Sequence, residues 1–159
     1  MDQNEVLNAV KEYVEFLLGK LGKSAEMTAQ FTASDDGTID KYISVKLVGD
    51  DLSDLVGFHG TSMEAIQSIL SLMLGKKFQM DLRVLLEVND YRERREKYLQ
   101  DVAERAAMDV KSTGQDVELP PMKPYERRMI HMALKSDDQI LTESLGEGEN
   151  RRIVVKLKK

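Results

Sequence analysis

The sequence predicts an α+β protein, and three patterns carry that prediction. Apolar residues return at helical spacing over 4–21 and 61–74, apolar and polar residues alternate over 26–34 and 42–48, and a long charged helix over 91–112 precedes a second set of short strands.

The elements follow in order. Val6, Leu7, Val10, Val14, Leu17 and Leu18 form the stripe of a first helix that Gly22 stops. Met27, Ala29, Phe31 and Ala33 alternate with polar residues to Ser34, and after the turn signal Asp35-Asp36-Gly37 the segment Tyr42 to Val48 alternates likewise, which predicts a hairpin. A short segment from Asp51 to Val56 leads into Gly57-Phe58-His59-Gly60. Thr61-Ser62-Met63-Glu64 then has the form of a capping box for a helix to about Leu74, with Met63, Ile66, Ile69, Leu70 and Met73 inward.

A strand is expected from Asp81 to Val88. Asn89-Asp90 can cap the long helix from Tyr91 to about Ser112, whose stripe is Tyr98, Leu99, Val102, Ala106 and Val110. Val117 to Leu119 is a short strand, Pro124 occupies the favoured first position of another helix, and Leu141 to Leu145 and Arg152 to Leu157 are the last strands, joined by a turn at 146–150. Two domains are expected, 1–90 and 91–159.

Composition narrows the function. The 159 residues include no cysteine and two histidines, His59 and His131, so disulfides and thiolate sites are excluded and no metal or other cofactor is expected. No transmembrane segment or secretory signal is visible, so the expectation is a soluble cytoplasmic protein. No carboxylate stands with Ser, Cys or His in a catalytic spacing, so no catalytic residue is assigned and the chain is not expected to be an enzyme. Residues 1–90 hold 8 Lys+Arg against 15 Asp+Glu and residues 91–159 hold 15 against 13, so net charges of −7 and +2 make up the total of −5. Eight of the nine arginines lie at or after Arg92, which makes the second part the one suited to an anion.

Within it, Arg127 and His131 stand four residues apart on the helix opening at Pro124. Tyr125, Met129, Ile130, Ala133 and Leu134 gather on one side as a core face, and Arg127, Arg128, His131 and Lys135 on the opposite, solvent side. The arginines fall in the first turn, where unpaired amides favour anions. On the last strand Arg152, Lys156 and Lys158 share one side, which predicts a second cationic row beside the helix.

The order helix, strand, strand, short helix, Gly-x-x-Gly, helix, strand over 1–90 resembles a type II KH domain (α-β-β-α-α-β). The resemblance implies that Gly57, Phe58, His59 and Gly60 clamp a single-stranded backbone. Family loops usually carry Lys or Arg where this chain has Phe58, whose ring can instead stack on a base or pack on a protein.

Three strings in 91–159 resemble an R-3-H domain, named for Arg-x-x-x-His. They are Tyr91-Arg92-Glu93-Arg94-Arg95, Pro121-Met122-Lys123-Pro124-Tyr125-Glu126-Arg127-Arg128-Met129-Ile130-His131, and the run from Glu143 through Arg151 and Arg152 to Val155. This implies a small α/β domain with a long helix, a second helix and a short mixed or antiparallel sheet. The two modules in tandem resemble the bacterial Jag (SpoIIIJ-associated) family. That resemblance implies a non-catalytic regulator binding single-stranded RNA, more than DNA, through Arg127, His131, Arg128, Lys123, Arg151 and Arg152 together with the loop. The alternative is a protein-interaction adaptor whose KH half has lost RNA affinity and meets a protein partner.

Overall fold

The computed structural model of the chain describes residues 2–32 and 41–158, and the turn expected at 35–37 lies outside them. The fold is α+β. It divides into two compact units, Met1–Tyr91 and Arg92–Lys159.

In the first unit α1 (Gln3–Lys20) starts on Asp2, whose carboxylate accepts the Asn4 N–H at 2.9 Å, and it buries Val6, Ala9, Val10, Val14 and Leu18. Strands β1 (Glu26–Phe31), β2 (Tyr42–Val48) and β3 (Arg83–Val88) form a sheet in that order, β1 antiparallel and β3 parallel to β2. A parallel pair needs a crossover. Here it runs through α2 (Ser53–Val56) and α3 (Thr61–Phe78). Ile43, Val45 and Leu47 of β2 and Val84, Leu86 and Val88 of β3 join the α1 and α3 stripes in one core.

Two expectations change here. Thr61 is not the cap of α3: Gly60 precedes the helix in the left-handed region, and the Thr61 hydroxyl donates back to the Phe58 carbonyl at 2.8 Å. The buried stripe of α3 is Met63, Leu70 and Leu74, while Ile69 and Met73 are exposed, because the helix turns a different flank to the sheet than its most apolar one. The Asn89 side chain also bonds the Gly49 backbone, donating to its carbonyl at 2.8 Å and accepting its N–H at 3.0 Å.

The second unit contains α4 (Tyr91–Thr113, from Arg92 onward), β4 (Val117–Glu118), α5 (Pro124–Leu134), β5 (Ile140–Leu145) and β6 (Arg152–Leu157). Its sheet has the order β4-β6-β5 and is antiparallel throughout. Leu99, Ala103, Ala106, Ala107 and Val110 of α4 pack with Ile130 and Leu134 of α5 and with Ile140, Ile153 and Val155 of the sheet. Tyr98 is not part of this stripe. It is exposed, with the Arg95 guanidinium 5.2 Å from its ring centre. Among the described residues no helix is long and apolar enough to cross a membrane.

Candidate nucleic-acid interface

The start of α5 is organised by Glu126, which is completely buried. One carboxylate oxygen accepts the Lys123 N–H at 3.0 Å and the other accepts Arg95 Nε at 2.7 Å. A glutamate at the third helical position that reaches back to the residue before the helix is the acceptor half of a capping box. The Glu126 carboxylate thus puts a negative charge of the protein's own at the end of the helix where an outside anion is expected from the sequence.

Burying Glu126 with Ile130 and Leu134 rotates α5 from the orientation read in the sequence. Tyr125 and Ala133, expected in the core, are exposed, and Met129 is half-buried. Arg127 is half-buried too, and its Nη1 donates to the Met122 carbonyl at 2.7 Å, tying the segment before α5 to the helix. Arg127→Ala should cost about 1.5–3 kcal/mol, the usual worth of a hydrogen bond from a charged donor. Chemical denaturation reads that difference.

His131 is exposed, and its Nδ1 lies 2.6 Å from Thr142 Oγ1 on β5. Two residues along the same strand, Ser144 Oγ accepts Arg151 Nε at 3.0 Å. Strand residues two apart share a face at about 7 Å spacing, so His131 and Arg151 are brought to one side of β5 by a threonine and a serine. Arg128 is exposed further round α5, and Lys123 is half-buried at its start.

Arg152 and Lys156 do not form a row beside α5. Ile153 and Val155 lie opposite Ser144 and Thr142 and face the helices, so their neighbours Arg152 and Lys156 occupy the other face of the sheet. There Arg152 Nε donates to Glu118 at 2.8 Å and Lys156 Nζ pairs with Glu143 at 2.8 Å. The Glu143 carboxylate holds the Lys156 ammonium above the ordinary lysine range. These charged stems lie around Val154, which is why a residue on the outer face is buried.

In the first unit, Gly57 leaves α2 at φ 69° and ψ −171°, and residues 58–60 form one 3₁₀ turn into α3. Phe58 is 77% exposed, and its ring stacks on His59 at 3.9 Å and 14°. Gly60 is buried. The glycines have internal reasons: a Cβ on Gly57 would lie 2.1 Å from Ser62 Oγ, and one on Gly60 would lie 3.1 Å from the Tyr91 ring. Close approach to a ligand is not needed to explain them.

Two grooves have no counterpart in the sequence reading. One, of about 580 Å³, runs between α3 and the edge of β3, where Gln67 Oε1 and Ser71 Oγ accept the Leu86 and Val84 N–H groups at 3.1 and 2.9 Å. The other, of about 490 Å³, lies between α4 and α5 in the second unit. Neither has a short motif, since each joins residues from separate elements.

The R-3-H domain family profile matches residues 97–157, the segment that holds the Arg127–His131 helix and its three strands. The chain is 34% identical over 148 residues to a protein of Clostridium symbiosum named RNA-binding protein KhpB, covering 93% of this chain and 64% of that one. Over nearly its whole length the chain is similar to proteins of that name. Other proteins of that name are 29% identical in Lactiplantibacillus plantarum, over 96% of this chain and 45% of the relative, and 26% identical in Bacillus subtilis, over the whole chain and 74% of the relative. The chain thus spans less than two thirds of the length of the first two of these relatives.

Proposed function

We propose that the chain is a non-catalytic protein that binds single-stranded nucleic acid, RNA in preference to DNA, and serves as a cytoplasmic bacterial regulator. In this reading residues 1–90 are a type II KH domain and residues 91–159 the R-3-H domain. The observation that carries it is the pair His131 and Arg151, each hydrogen-bonded to a hydroxyl on one face of β5, Thr142 and Ser144, with Arg127 one turn before His131 on α5 and Arg128 exposed on the adjoining rim. Such a set suits a phosphodiester backbone: arginine supplies a planar fork of donors, and hydroxyls and imidazole add shorter contacts. The names of the relatives point the same way.

The test is binding of a labelled single-stranded RNA by fluorescence anisotropy across a salt series. The logarithm of affinity should fall with the logarithm of salt with a slope of about −0.7 per phosphate neutralised. Replacing His131, Arg128 and Arg151 by alanine should lower both affinity and slope. Affinity unchanged by salt would contradict the reading.

The exposed Phe58–His59 stack, in a half of net charge −7, favours a second reading in which the KH half serves as an adaptor for a protein partner. If that loop holds RNA, Phe58→Lys should tighten binding and steepen the salt slope, and Phe58→Ala should lower affinity by about 1–3 kcal/mol through lost stacking. If neither changes RNA binding while Phe58→Ala abolishes a protein contact, the adaptor reading holds for that half.

A further inference from the structure

The groove between α4 and α5 lies on the flank of α5 away from His131. With successive residues turned by about 100°, Lys135 and Arg128 follow His131 round the helix, and the wall of Met132, Tyr125 and Met129 comes next. The cationic ridge is therefore continuous with the groove. Tyr125 and Met132 are 47% and 57% exposed there, and Glu96 and Gln100 of α4 line the opposite side.

We propose that this groove is a subsite for one unpaired guanine base of the bound strand. The inference rests on the nucleic-acid reading above and adds a sequence preference to it. A phosphate on the Arg128 ridge leaves its base beside the groove, where the tyrosine ring and methionine side chains offer a flat, polarisable surface for stacking. The Glu96 carboxylate decides the base. It repels phosphate but accepts two parallel N–H donors, and among the four RNA bases only guanine presents two adjacent donors, N1–H and the 2-amino group, on its Watson–Crick edge. Gln100 beside it supplies an amide that can donate to O6. Read alone, an acidic residue on this surface would look unfavourable for binding; as a base-edge acceptor it is selective.

Anisotropy with the intact chain, a uridine heptamer and the same heptamer carrying one central guanosine tests this. The guanosine should raise affinity about tenfold, as a bidentate base contact does. Inosine in its place, lacking the 2-amino group, should recover only part of the gain, and Glu96→Gln should bring the guanosine-to-uridine ratio close to one. Equal affinity of the unaltered protein for both heptamers would overturn the subsite and leave RNA binding standing. Failure to bind either would overturn both. If Met132→Glu leaves the guanosine preference intact but splits a self-associated form seen by sedimentation, the groove joins two copies of the chain and the guanine inference fails.

Discussion

Replacing Glu126 by alanine should destabilise the second unit by about 3–5 kcal/mol, the cost of removing one partner from a buried ion pair. The carboxylate is completely buried, and the Arg95 side chain it neutralises is only 16% exposed, so the substitution strands a charge that water reaches poorly. It also removes the acceptor of the Lys123 N–H at the start of α5. A single domain is stable by about 5–15 kcal/mol in all, so the unit should lose much of its cooperative unfolding transition. Glu126→Gln keeps an oxygen for the amide and should cost less. Replacing Glu126 and Arg95 together by methionine should recover part of the loss, since an apolar pair carries no desolvation penalty. Denaturant titration of the three variants reads this order, and a loss below about 1 kcal/mol for Glu126→Ala, the worth of a single neutral hydrogen bond, would contradict it.

Gly57→Ala should produce the second large loss. Its φ and ψ fall in a region that essentially only glycine adopts, which costs about 1–3 kcal/mol for any other residue. The new Cβ would also meet Ser62 Oγ at 2.1 Å and the Ser62 backbone nitrogen at 2.9 Å. The backbone contact means that Ser62→Gly cannot rescue it fully. Gly60→Ala should be milder, about 1–2 kcal/mol for the left-handed conformation, because its nearest neighbour is the edge of the Tyr91 ring at 3.1 Å. Thermal unfolding should rank Gly57→Ala well below Gly60→Ala. Were the glycines needed only for phosphate approach, both variants would fold normally and lose RNA alone.

The contrast between Gly57 and Glu126 bears on what the sequence reveals. Gly57 stands out because glycine at a turn is a local signal, although its reason for being there, the packing of Ser62, is not. Glu126 looks like one charge among others in a cationic helix, since its partner Arg95 is 31 positions away and no periodicity links them. Without that pair, periodicity alone turns α5 by a fraction of a turn, which puts Tyr125 in the core and Arg127 in solvent. The strands show the same limit. Alternation places Arg152 and Lys156 together correctly, yet which face of a sheet meets a helix depends on the register between strands, here Thr142 opposite Val155. Long stripes such as that of α1, and the alternation of β2, are legible because one face of each element packs on a single core.

Single-stranded RNA should lie along the exposed rim of α5. Photocrosslinking of the intact chain to RNA containing 4-thiouridine, followed by mass spectrometry of the joined peptides, locates that contact directly. Adducts should map to residues 124–135 and to the peptide carrying Arg151. Adducts confined to the outer sheet face around Arg152 and Lys156, or to α1, would contradict it.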